Sequence, residues 1–265
     1  MTNSWPNCST EIKELIFTLL SDVKKIIKEG FVGFYIHGSL AMGGFHPDNS
    51  DIDILIVTQN SIAVETKKKL AQLFLYHSNN PFPIEVSSMN EQQLKNWSHP
   101  SVYDFHYSEY WRKCFEKRLA TGTYRYLNNQ IKPDPDLSAH IKITTNRGVC
   151  IEGRPISEVF PYVPHSYYIS SIIGDFEECL ENIEKDPIYC TLNLIRVLWY
   201  LEEGVIASKE EAGKWGIISL PKEMKSTIQK VSYNYSNTDK TYYLEKSELR
   251  LVKNYIAGNV QALLN

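Results

Sequence analysis

Cysteine is scarce in this chain and poorly spaced for metal or disulfide chemistry. Cys8, Cys114, Cys150, Cys179 and Cys190 form no C-x-x-C pair and leave an odd count, so they read as inert buried thiols rather than a zinc site or a disulfide framework. Long hydrophobic runs are also missing: nowhere do about 18 apolar residues stand together, which excludes a helical membrane span. The first nine residues have neither a basic stretch nor an apolar one, so no export signal is read and a cytoplasmic location is expected. Basic charge is in deficit, with 28 Lys and Arg against 31 Asp and Glu and a net charge of −3. No basic strip offers itself to nucleic acid, and a small cationic partner fits better. What the chain does have is length and apolar content: 265 residues, 43% hydrophobic, suffice for one large domain or two ordinary ones.

The two halves differ in pattern. From Thr10 to Gly30, Ile12, Leu15, Ile16, Leu19, Leu20, Val23, Ile26 and Ile27 recur at helical spacing behind a Ser9 or Thr10 cap. Phe31 to Ile36 reads as a strand, Gly38 to Ser50 as a glycine-bearing connection, and Asp51 to Thr58 as a buried strand rich in Ile and Val. A helix is expected from about Ile62 to Tyr76 and a short strand from Pro83 to Ser88. The second half reads as helices only, over Tyr167 to Glu184, Tyr189 to Glu203, Ser208 to Trp215, Lys222 to Val231 and Lys246 to Leu264. Between the halves, Gly148, Gly153, Pro155, Pro161 and Pro164 break regular structure, so the boundary is set at residue 155. The expected architecture is α+β: an α/β domain, 1–155, followed by an α-helical bundle, 156–265.

The residues that carry chemistry lie in the first half. Asp51 and Asp53 stand at i and i+2 on an expected strand, so their side chains share a face and are able to share a hard divalent cation such as Mg²⁺. Glu85, between Ile84 and Val86 on another strand, is either a further ligand or a general base. Gly38 and Ser39 end a strand at a turn where backbone approaches a phosphate closely, and Ser50 is a second hydroxyl donor. An Asp-x-Asp alone is most often a solvated pair at a strand edge. Carboxylates on a buried strand need counter-charge, and with the Gly-Ser turn and third carboxylate they suit transfer of a nucleotidyl group. Taken alone, Arg196 reads as pairing with Glu202 or Glu203 or as reaching to solvent, Asp186 as a turn residue before Pro187, and His37 as a strand histidine without a role.

The stretch from Gly38 to Val57, GSLAMGGFHPDNSDIDILIV, resembles the signature of the polymerase-β-like nucleotidyltransferase superfamily. Ile84-Glu85-Val86, Ser108-Glu109-Tyr110, Asp134-Pro135-Asp136-Leu137, Arg196 through Gly204, and Ala207-Ser208-Lys209 to Leu220-Pro221 resemble the aminoglycoside adenylyltransferases that inactivate streptomycin and spectinomycin. The resemblance implies a nucleotidyltransferase domain and a helical domain with ATP and metal bound between them. It implies Mg²⁺ on Asp51, Asp53 and Glu85, with Glu85 the base beside the acceptor hydroxyl. Ser39 and Ser50 match phosphate contacts, Arg196 and Lys209 match ATP-binding cations, and Tyr235, or else Tyr233, matches a nucleotide contact. Asp186 matches a substrate-contacting aspartate. Tyr110 stands where streptomycin-accepting relatives carry tryptophan, and Asn182 where they carry aspartate. These departures favour the 9-hydroxyl of spectinomycin over the 3''-hydroxyl of streptomycin; the alternative is another small-molecule or protein hydroxyl. A monomer acting on ATP and a cationic antibiotic is expected, without nucleic acid or membrane as partner.

Overall fold

The long apolar stripe near the N-terminus folds as its spacing dictates. Helix α1 (Thr10–Ile27) is capped by the Ser9 hydroxyl, which accepts from the Ile12 N–H at 3.3 Å, and it buries Ile12, Leu15, Ile16, Leu19, Leu20 and Val23. In this computed structural model, which describes residues 4–128, 133–237 and 241–265, the chain divides into two compact units. One ends at Tyr168 and the other is Ile169–Asn265, a division that falls within helix α8 (His165–Asn182).

The first unit is built on a sheet of β1 (Phe31–Ile36), β2 (Ile52–Thr58), β3 (Ile84–Asn90), β4 (Phe105–Tyr107) and β5 (Val149–Gly153), in the order β4-β3-β2-β1-β5. β2 and β3 are parallel, joined through α3 (Val64–His77), and the other neighbours are antiparallel. Ile54, Ile56 and Val86 pack with Leu70 and Phe74 of α3 and with the α1 stripe. Leu55 and Val57, alternating with them, are also buried, so β2 reads as an unbroken apolar run because both its faces are covered.

Several boundaries move for identifiable reasons. β2 begins at Ile52, whose N–H bonds the Pro83 carbonyl at 2.8 Å, so Asp51 stands one residue ahead of the strand. β3 runs on to Asn90, which then caps the short α4 (Glu91–Lys95) through reciprocal bonds with Gln93. The Gly38–Ser50 connection opens with a short helix, α2 (Gly38–Met42). Between 91 and 147, where no element was expected, the chain forms α4, β4, α5 (Arg112–Ala120) and α6 (Leu137–Arg147). The Gly- and Pro-bearing segment near residue 155 is likewise built into the first unit. β5 pairs with β1, the Tyr35 hydroxyl donates to the Arg154 carbonyl at 2.8 Å, and Tyr35 meets Phe160 edge-on; the short α7 (Ile156–Val159) lies between these contacts. Breakers there shape a turn against the sheet, and the break in packing comes after Tyr168.

The second unit centres on α9 (Pro187–Glu203), which packs with α10 (Lys209–Ser219), α11 (Lys222–Ser236) and α12 (Lys246–Leu264). Leu194, Ile195, Val197 and Leu198 of α9 share a core with Ile228, Val252 and Ile256. Trp199 and Trp215 stack at 5.3 Å, and Glu203 accepts from both indole N–H groups. Among the described residues, no helix is long and apolar enough to cross a membrane.

Candidate active site

The parallel pairing of β2 with β3 sets Asp53 directly opposite Glu85. With Asp51 just before β2, each of the three offers a carboxylate oxygen within 4.8 Å of the others. Three hard oxygen donors so close repel one another unless a cation lies among them, and their chemistry fits a divalent ion such as Mg²⁺. Burial, above all, raises the affinity of Glu85 for a proton; Asp51, Asp134 and Asp136 act in the same sense and His140 against them. A carboxylate with its proton affinity raised is the better proton acceptor.

Gly38 is required at its position on two counts. Its φ is +59°, and a Cβ there would lie 1.7 Å from Asp53 Oδ2. The Asp53 carboxylate therefore occupies space that only glycine leaves. Next to it, the Ser39 hydroxyl is shielded from solvent and makes no hydrogen bond among the described residues. Such an orphaned polar group calls for a partner supplied from outside the chain. Ser50 is different: it is buried, and its hydroxyl accepts from the His46 N–H at 3.0 Å, closing the turn before Asp51.

The structure adds residues that the sequence reading did not bring to this site. His140 of α6 places Nε2 3.9 Å from Glu85 Oε1, and its ring meets that of His37 at 4.9 Å. His37 is buried, and burial followed by the neighbouring His140 holds its imidazole well below the ordinary range, hence neutral. The Asp134-Pro135-Asp136-Leu137 stretch was visible as a motif, but only folding carries its carboxylates to Glu85. Glu109 is not one of the three clustered carboxylates. It accepts from Ser78, Asn79, Tyr107 and Arg112, and these bonds, that of Arg112 foremost, hold its carboxyl down to about 2.

In the second unit, Tyr189, Asn193 and Arg196 follow one another at helical spacing on α9. Arg196 pairs with neither Glu202 nor Glu203: its Nε donates to the Ala207 carbonyl at 2.9 Å, and it reaches Asn193 at 3.4 Å. Lys209, first residue of α10, sits 4.3 Å above the Tyr189 ring. The Tyr189 hydroxyl and the Asn193 amide both donate to Asp175 of α8, at 3.0 and 2.6 Å. The spacing along α9 was the available signal for this group; Asp175 had none, because α8 alone does not reveal which face it turns to α9. Asp186 caps α9, accepting from the Tyr189 N–H at 3.3 Å. It lines an open cleft of about 470 Å³ with Asp175, Glu178, Asn182, Lys185 and Tyr189, in which three carboxylates face one ammonium.

Two expected contacts have contrasting settings. Tyr110 is 85% exposed, its ring edge-on to Trp111. Tyr235 is buried with Leu192 and Val231, whereas Tyr233 is exposed beside Tyr242.

Comparison with known proteins agrees with this arrangement in both halves. Residues 20–107 match the nucleotidyltransferase domain family, and residues 158–259 match the family described as aminoglycoside adenylyltransferase, C-terminal domain. Over 257 residues the chain is 29% identical to a spectinomycin 9-adenylyltransferase of Staphylococcus aureus strain Mu50, covering 93% of this chain and 94% of that one. It is 25% identical over 261 residues to the Campylobacter jejuni spectinomycin 9-adenylyltransferase, covering 96% and 97%. A crystal structure of the Enterococcus faecalis spectinomycin adenyltransferase with ATP and spectinomycin superposes with a TM-score of 0.77 at 23% identity, covering 94% of this chain and 99% of that one. That likeness shows the fold, and the two sequence families account for its two parts. The chain belongs to the aminoglycoside adenylyltransferases of the nucleotidyltransferase superfamily.

Proposed function

We infer that this protein transfers AMP from ATP to a hydroxyl of an aminoglycoside-type antibiotic, and that the acceptor is the 9-hydroxyl of spectinomycin. One observation carries the chemistry: Asp51, Asp53 and Glu85 converge to within 4.8 Å beside a glycine whose place a side chain could take only by displacing the Asp53 carboxylate. The acceptor is supported by the curated relatives, which are spectinomycin 9-adenylyltransferases over nearly the whole chain. The cleft beside Asp186 presents carboxylates, as an acceptor bearing ammonium groups requires.

Asp51, Asp53 and Glu85 would hold Mg²⁺, which when bound offsets triphosphate charge and stabilises the departing pyrophosphate. Glu85 takes the proton from the acceptor hydroxyl. The resulting oxygen bonds to the α-phosphorus of ATP, and the bond from that phosphorus to the pyrophosphate oxygen breaks. Gly38, Ser39 and Ser50 form the phosphate turn, with the unpartnered Ser39 hydroxyl donating to a phosphate oxygen. Arg196 and Lys209 contribute positive charge toward the phosphates. Tyr235 is assigned to the nucleotide, with Tyr233 the more exposed substitute, and Tyr110 and Asp186 to the acceptor. The assignment includes a catalytic domain and an ATP- and substrate-binding helical domain, read from the sequence as 1–155 and 156–265 and parted in packing after Tyr168, acting as a cytoplasmic monomer without nucleic acid.

The test is mass spectrometry of spectinomycin and streptomycin after incubation with ATP, Mg²⁺ and the protein. Addition of one AMP to spectinomycin is expected; modification of streptomycin alone would reassign the acceptor, and modification of neither would overturn the reading. Glu85→Gln should lose turnover by at least about 10²-fold while ATP still binds in calorimetry, because a base contributes about 10²- to 10⁴-fold to rate.

A further inference from the structure

The geometry points to His140 as the positioning residue that aims the Glu85 carboxylate, acting with His37 as its backstop. This inference rests on the reading of Glu85 as the base. Glu85 is surrounded by like charge, from Asp51 at the metal cluster and from Asp134 and Asp136 nearby. A carboxylate so placed is driven toward whatever donor is within reach, and His140 Nε2 lies 3.9 Å from its Oε1.

The backbone that carries the imidazole is well held for that task. The backbone N–H of His140 donates to the Asp136 carbonyl at 3.0 Å, and its own carbonyl accepts from the Thr144 hydroxyl at 2.7 Å. Its ring lies against that of His37, which is 2% exposed. The His37 N–H in turn donates to the Asp53 carbonyl at 3.1 Å. A continuous path thus runs from the backbone of Asp53, through two rings, to the carboxylate that faces Asp53 across β2 and β3. In the tautomer carrying hydrogen on Nε2, His140 turns the positive end of that N–H toward Oε1, 3.9 Å away, and the attraction between them leaves Oε2 for the acceptor hydroxyl. His140 touches neither acceptor nor nucleotide in this role; it acts through Glu85.

Steady-state kinetics of His140→Leu, His140→Gln and Glu85→Gln, read beside nitrogen-15 spectra of the histidine rings, test the inference. His140→Leu should lower kcat by about 10-fold or more with the KM for ATP unchanged, since misplacing a reacting group by about 1 Å costs up to about 10²-fold. His140→Gln, which keeps a donor on a flexible stem, should recover part of that loss. In the wild-type spectra, His140 should carry its hydrogen on Nε2, and that resonance should shift in Glu85→Gln while His165 stays unmoved. Wild-type kcat in His140→Leu alongside an inactive Glu85→Gln overturns the positioning role and leaves the base intact. Turnover in Glu85→Gln removes the base reading itself. If the Leu variant does not fold, a folded Gln variant with kcat as low as that of Glu85→Gln, or a ring signal indifferent to Glu85, overturns the inference.

Discussion

At the scale of single residues, the site depends on one backbone conformation as much as on its charges. Gly38 has a positive φ, and a methyl group there would displace the Asp53 carboxylate. Gly38→Ala should therefore weaken Mn²⁺ binding, measured by calorimetry, by about 10-fold or more and turnover by about 10²-fold, with the far-ultraviolet circular dichroism unchanged. Mn²⁺ affinity at the wild-type value would show that Asp53 does not hold the ion. The candidacy of Gly38, Asp51, Asp53 and Glu85 was legible because each belongs to a short motif with strand spacing, and the fold brings them together. His140 was not legible: its approach to Glu85 joins residues 55 positions apart, and no local periodicity records that. The setting of Arg196 was also hidden, since its bond to the Ala207 carbonyl depends on how the chain turns after α9.

At the scale of elements, two local devices hold functional segments in place. Ser208 and Glu211 exchange bonds at the start of α10, fixing the turn from which Lys209 reaches the Tyr189 ring. Ser208→Ala should cost about 1 kcal/mol in urea unfolding and raise the KM for ATP. An unchanged KM would separate the cap from nucleotide binding. Glu109 ties the approach to α5 to the end of α3 through Ser78, Asn79 and Arg112. Its folded proton affinity is depressed to about 2, so its stabilisation is complete above the unfolded value near 4.3 and is lost as pH falls toward 2. Glu109→Gln should cost about 1–2 kcal/mol at pH 7, and the gap from wild type in thermal melts should close between about pH 4.5 and 2. A gap independent of pH would assign the loss to shape instead of charge. The cap at Ser208 could be read directly from Ser-x-x-Glu spacing; the Glu109 cluster could not, because its donors come from three separate segments.

At the scale of the whole molecule, the buried His37 and the half-buried His106 make stability depend on mild acid. His106 is held down to about 4, first by burial, and His37 lies well below its ordinary range for the same reason. The folded protein keeps these rings neutral while the unfolded chain protonates them near 6.5. Their contribution is therefore full above that value and is lost as pH falls toward 4. Urea unfolding should show stability falling between pH 6.5 and 4, by up to about 1.4 kcal/mol per pH unit for each such ring, and His106→Asn should flatten the slope. A profile flat over that range would mean that the rings titrate freely. By itself the sequence determined the local matters: the apolar stripe of α1, the Ile- and Val-rich β2, the Gly-Ser turn and the carboxylates, and the helical character of the second half. Those follow from periodicity and motif, which act over a few residues. Only the tertiary structure decided that Asp53 faces Glu85, that His140 stands beside it, that the segment around residue 155 joins the sheet as β5, and that Asp175 meets Tyr189 and Asn193. Each of these unites groups distant in sequence through strand register or helix packing, and their energies exist only once both partners are in place.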